Sequence, residues 1–220
     1  MGHVVELPVR LPEADMFEHG DMARLYAAWR QSARAGDLPA LREFAPRRLG
    51  QWMAWSGMVE TTASNQHELM EGAAVYWRLA GSALCRLAGH ELTRQPAFGD
   101  WSRFERSTLC RLVGQTLFQR QAFLARLRLE MLDTADGRME MLSLPLRDTA
   151  RGKAVALLVF RPYFPPDMVV PTRLSAARLL SLQALEGPRE LQEEMAFAAG
   201  GDAAGMAKVL PLFTQSPAHA

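Results

Sequence analysis

The chain has 220 residues, 49% of them hydrophobic and 22% charged, with 25 Lys and Arg against 24 Asp and Glu. That length suits one domain with appended segments, and a core of about 150 residues buries roughly 70% of its unfolded surface without needing staples. The even charge argues against a partner gripped through a phosphate backbone, and so against nucleic acid. Two cysteines make no disulfide scaffold.

The opening "MGHVVELPVRLPEADM" mixes acids and prolines and lacks the apolar core of a signal peptide. Residues 1–18 read as a flexible lead-in. No run approaches the ~18 apolar residues of a membrane span, so a cytoplasmic protein with no membrane partner is expected. A helix follows in "GDMARLYAAWRQSARAGDLP", with Asp21 as N-cap and Met22, Leu25, Tyr26 and Trp29 on one stripe. Gly36 and the Leu38-Pro39 pair end it. "ALREFAPRRLGQW" is a second short segment whose proline breaks any long helix.

Residues 52–61 predict a strand with a bulge at Gly57, and "TASNQHELMEG" a turn. In "AVYWRLAG", Val75, Trp77 and Leu79 alternate with Tyr76, Arg78 and Ala80, the period of a second strand. Gly81 closes it, Ser82 caps a short helix carrying Leu84 and Leu87, and Gly89 ends that helix. A longer helix over 102–120 presents Phe104, Leu109, Leu112, Val113 and Leu117. A hairpin then turns at Asp136-Gly137, a two-residue loop that would set Leu127, Leu129 and Met131 against Leu146, Leu144 and Leu142. "KAVALLVF" (153–160) suits a central strand covered on both faces. Pro162, Pro165 and Pro166 close the compact domain, "TRLSAARLLSLQALEG" predicts one more helix, and the small-residue tail is expected to be mobile.

The order is helix, two strands, helices, long helix, three strands. It predicts an α+β domain: a five-stranded antiparallel sheet with helices on one face and an N-terminal flanking helix. The domain should span 19–163, with 164–220 a C-terminal helix and tail.

These elements resemble a PAS domain, and more narrowly the single-PAS proteins of alphaproteobacteria. The family's opening helix with Leu-Pro and Phe-x-Pro appears as "LYAAWRQSARAGDLPALREFAP". Its second strand and following helix appear as "YWRLAGSALCRLAGHELTRQ", and its closing hairpin as "EMLSLPLRD". Ala45 precedes the proline of the Phe-x-Pro element, where an acid is common. The likeness covers about residues 20–163 and implies a bacterial regulatory protein in signal transduction. It would act by docking to signalling proteins, with sensing of a small molecule as the alternative.

No catalytic constellation stands out. His67-Glu68 and His90-Glu91 lack the second histidine of HExxH, and GxSxG, GxGxxG and the P-loop lysine are absent. An enzyme is therefore not expected, nor a metal. The resemblance implies no haem, since residues 102–120 hold no histidine. It implies no photoactive flavin either, since "LCRLAG" shares only Cys85-Arg86 with the flavin-reactive pattern. No cofactor is expected. A small apolar ligand could occupy a pocket lined by Trp77, Leu79, Phe104, Val113, Leu127 and Leu129; the other reading has those side chains filling the core. Cys85 and Cys110 read as small buried thiols, and Arg78 as an outer-face residue in a salt bridge or a docking contact. The stripe Met22, Leu25, Tyr26 and Trp29 must bury its face on its own sheet or on a second copy, and a homodimer through it is expected.

Overall fold

Strand β5 (Lys153–Tyr163) is apolar at odd and even positions alike, so both of its faces need cover. The computed structural model, which describes residues 16–33, 37–70, 74–132, 136–163 and 174–185, supplies that cover. A six-stranded antiparallel sheet runs in the order β2-β1-β5-β4-β3-β6. Its strands are β1 (Ser56–Thr61), β2 (Val75–Ala80), β3 (Ala122–Met131), β4 (Gly137–Asp148), β5 and β6 (Leu174–Leu185). The helices are α1 (Gly20–Ser32), α2 (Leu41–Leu49), α3 (Gln66–Met70), α4 (Ser82–Ala88) and α5 (Arg103–Gly114), the last continuing as a π turn over Gln115–Gln119.

Two cores result, one on each face of the sheet. On the first, Leu127 and Leu129 of β3, Met139 and Met141 of β4, and Leu158 and Phe160 of β5 meet α4 and α5 through Leu84, Leu87, Leu109, Leu112 and Val113. On the second, Leu142, Leu144 and Leu146 of β4 and Val155, Leu157 and Val159 of β5 meet α1 through Met22, Leu25, Tyr26 and Trp29. Successive residues of a strand point to opposite faces, so β4 and β5 feed both cores at once.

The position of α1 follows from a mismatch in strand length. β4 pairs with β3 only as far as Ser143, which leaves the stretch from Pro145 to Arg147 without a β3 neighbour on that side. The chain around α1 fills the gap. The Trp29 indole Nε1 donates to the Pro145 carbonyl at 2.9 Å, and the Arg147 N–H donates to the Pro39 carbonyl at 2.9 Å. The stripe expected to mediate a dimer is therefore buried within one chain, with Trp29 fully enclosed. In this arrangement it has no face left to offer a second copy.

Beside α1 lies a row of charge across the sheet. Arg126 (β3) faces Glu140 (β4), which faces Arg161 (β5). Glu140 is buried; one carboxylate oxygen accepts the Glu18 N–H at 2.9 Å, while the other has no hydrogen-bond partner. Burial pushes this carboxyl above its ordinary range, against the pull of the backbone N–H of Glu18 and the Arg126 charge. The Arg126 guanidinium donates to the Met16 carbonyl and lies 3.1 Å from a Glu18 oxygen, fastening the entry to α1.

Other expectations needed correction. Asp21 lies in the first turn of α1, and His19 is the N-cap residue. The segment holding Pro46 is the nine-residue helix α2. Ser56 begins β1 after a 3-10 segment over Gly50–Trp55, and the bulge falls between Met58 and Val59. Gly57 instead admits the Trp77 ring, which a Cβ would strike. The polar stretch after β1 contains α3, where the Asn65 side chain accepts the Glu68 N–H and the Glu68 carboxylate accepts the Ser64 N–H. Gly81 is the N-cap residue of α4, where a Cβ would collide with the carbonyl oxygens of Met53 and Ala54.

The hairpin register also differs. Leu127 pairs with Met139 where Leu146 was expected, and Leu129 pairs with Gly137. An odd shift of this kind moves every partner to the opposite face, so Leu142, Leu144 and Leu146 pack under α1 and not across from Leu127 and Leu129. The expected C-terminal helix is strand β6, joined to β3 with register shifts beside Arg126 and Glu130. Residues 1–15 of the lead-in, Gly36 and the tail beyond 185 lie outside the described residues.

Replacing Trp29 by alanine removes a core indole and its hydrogen bond. Urea unfolding should show a loss of about 3–5 kcal/mol, with no change in the mass of the native species by light scattering.

Candidate functional site

Between α4, the loop 89–102 and the first face of the sheet lies a cavity of about 60 Å³, open to solvent on one side. Its floor is Trp77 from β2, Met139 from β4 and Phe160 from β5, and Leu84 and Leu87 of α4 form one wall. The remaining wall comes from the loop, through Leu92, Phe98 and Trp101, with Asp100 at the rim. Its lining is that of an apolar site with few polar groups, and its volume admits only a compact group.

The loop is held as firmly as a strand. Trp77 N–H donates to the Gln95 carbonyl at 3.0 Å, Arg94 N–H to the Trp77 carbonyl at 2.6 Å, and Ala97 N–H to the Val75 carbonyl at 2.7 Å. This pairing caps the outer edge of β2. Within it Arg94 and Phe98 adopt positive φ, 69° and 58°, a conformation uncommon outside glycine and often stored at working sites. The Phe98 ring is nonetheless well packed: it meets Trp77 edge-on at 5.5 Å and Trp101 at 5.4 Å. At the rim, His90 follows Gly89, the C-cap residue of α4. Its Nε2 lies 2.6 Å from Asp100 Oδ2 and its Nδ1 3.1 Å from the Glu91 carbonyl oxygen.

Of the six residues expected to line a pocket, the structure brings only Trp77 to this cavity. Val113, Leu127 and Leu129 are fully buried in the surrounding core. Leu79 is 51% exposed and Phe104 60% exposed, so both lie at the surface. The cause for Leu79 is the bulge: Trp77 faces Val59 while Leu79 faces Met58, and the extra residue, Arg78, turns Leu79 to the other side of the sheet. Phe104 sits on the solvent side of the first turn of α5. The aromatic spacing in "PAFGDW" was the available signal for the missed wall, set among Pro and Gly that mark it as loop.

Arg78 itself reaches Asp148 at the end of β4, Nη1 to Oδ2 2.5 Å, with both side chains largely covered. The hydrogen bond from Arg78 holds the Asp148 carboxyl below its ordinary range. The thiols of Cys85 and Cys110 are half-buried, and burial pushes both above their ordinary values, which keeps them protonated and poorly nucleophilic. Among the described residues no three of His, Cys, Asp or Glu converge as a metal site, and no helix is long and apolar enough to cross a membrane.

A family model described as PAS domain matches residues 17–159. Searches of curated proteins and of solved structures found no match.

Because Asp148 is depressed in the folded state, its contribution is present above about pH 4 and lost as pH falls through its lower folded value. Arg78→Gln should cost about 1–2 kcal/mol at pH 7, and urea melts at pH 3 should show that difference shrinking.

Proposed function

Since the chain belongs to the PAS-domain family, we propose that it is a non-catalytic regulatory module that takes a small molecule into the cavity above Trp77 and passes its state to a signalling protein. PAS domains are sensory and regulatory modules of signal transduction. The observation that carries the ligand reading is the cavity itself, whose outer wall is a loop with two residues held at positive φ. A ligand touching Phe98 and Trp101 would alter the energy of that loop, and the loop is bonded to the edge of β2. A shift there has a short path to the surface around Leu79 and Met53, both exposed apolar side chains.

Docking without a ligand is the second reading. What favours it is that Val113, Leu127 and Leu129 fill the core completely and leave only a small space. Any self-association would use a surface other than the α1 stripe.

Native mass spectrometry and an absorption spectrum of the purified protein separate the two. A retained small molecule, with unfolding stabilised by about 2.7 kcal/mol at a hundredfold excess over its Kd, supports sensing. Empty protein in every preparation, captured by a partner with equal affinity whatever is added, leaves docking alone.

A further inference from the structure

The chemistry of the cavity wall is more selective than an apolar lining requires. Four aromatic rings contribute to it: Trp77, Phe98, Trp101 and Phe160. They do not stack into a slab. Trp77 is inclined to Phe98 by 62° and to Phe160 by 48°, and Phe98 to Trp101 by 70°, with centroids 5.4–6.4 Å apart. Rings set at such angles border the cavity from several directions rather than from one side. The negative face of an aromatic ring attracts a cation, and several rings around one point are the arrangement that recognises alkylated ammonium groups.

Charge points the same way. Among the described residues lining the cavity, Asp100 is the only charged side chain, and no lysine or arginine is present. The small volume suits a compact head group, and because Asp100 and Ser175 are exposed lining residues, a longer substituent could reach solvent past them.

We propose that this cavity binds a small organic cation, an N-methylated ammonium group, with the four rings enclosing its methyls and Asp100 supplying the counter-charge. The proposal rests on the sensing reading above and gives it a ligand class. His90 competes for the same carboxylate, since its Nε2 already lies 2.6 Å from Asp100 Oδ2. A bound cation would take up the other carboxylate oxygen or displace the imidazole.

The test is titration of the full chain with tetramethylammonium, choline and the neutral isostere 3,3-dimethylbutan-1-ol, followed by calorimetry and tryptophan fluorescence. Choline should bind saturably and roughly tenfold tighter than the alcohol. Asp100→Asn should weaken choline about tenfold while leaving the alcohol unchanged, and Trp101→Leu should weaken the cations more than the alcohol. His90→Gln, which releases the carboxylate, should bind choline as tightly as the parent or tighter. If instead His90→Gln and Asp100→Asn weaken binding together, the ion pair is merely structural and Asp100 is not the counter-charge. Circular dichroism and melting curves check that each variant folds. Equal affinity for choline and the alcohol overturns the cation class but leaves a ligand sensor. Failure of all three to bind overturns the cation class, and a molecule retained in the native mass spectrum then still upholds sensing.

Discussion

The constraint on which the rest depends is that β4 and β5 are apolar on both sides. Leu142, Leu144 and Leu146 alternate with Met139 and Met141, and Val155, Leu157 and Val159 alternate with Ala156, Leu158 and Phe160. Neither face of such strands tolerates water. The connecting helices can cover one face, because they arise between β1 and β3 and fold back over it. The other face must be covered by chain from outside that stretch, and α1 is what precedes the sheet. Its fixed attachment, the Trp29 indole on the Pro145 carbonyl, exploits the one place where β4 outruns β3.

This accounts for what was legible in the sequence and what was not. Element type and order could be read because period and punctuation are local: the α1 stripe, the alternation in β2, Gly89 ending α4 in a left-handed conformation at φ 80°. Register could not. The Asp136-Gly137 pair looked like a tight loop, yet the choice between partners rested on matching leucine with leucine, and β4 carries apolar residues at both parities. Met139 and Met141 were available to meet Leu127 and Ala125 on one face, with the leucines free to meet α1 on the other, so pattern alone could not choose. β6 was misread for a related reason. Much of it is exposed, and "LSAARLLSLQAL" has good helix formers, but the free side of β3 decided its state by tertiary pairing.

The candidate site was less legible than the fold. Trp77 was found because it sits in a regular strand. The residues that complete the cavity belong to a loop whose geometry comes from hydrogen bonds to β2 and from left-handed backbone at Arg94 and Phe98, which no periodicity announces. Leu79 was lost to a single bulge at Arg78, directly after Trp77. The charge row of Arg126, Glu140 and Arg161 was equally hidden, since its members come from three strands and meet only once the sheet is paired.

The two margins of the sheet have a bearing on how the molecule behaves in company. On the β2 side the outward main-chain groups of Trp77 and the Val75 carbonyl are already taken by residues 94–97. On the β6 side two register shifts divide its pairing with β3 into runs of five, four and one residues, and irregularities of that kind blunt an edge. Edges interrupted or occupied in this way are among the devices by which sheets avoid pairing with their neighbours. Among the described residues, it is then the side chains on the faces, where specificity is written, that stand more open than the anonymous backbone of either margin.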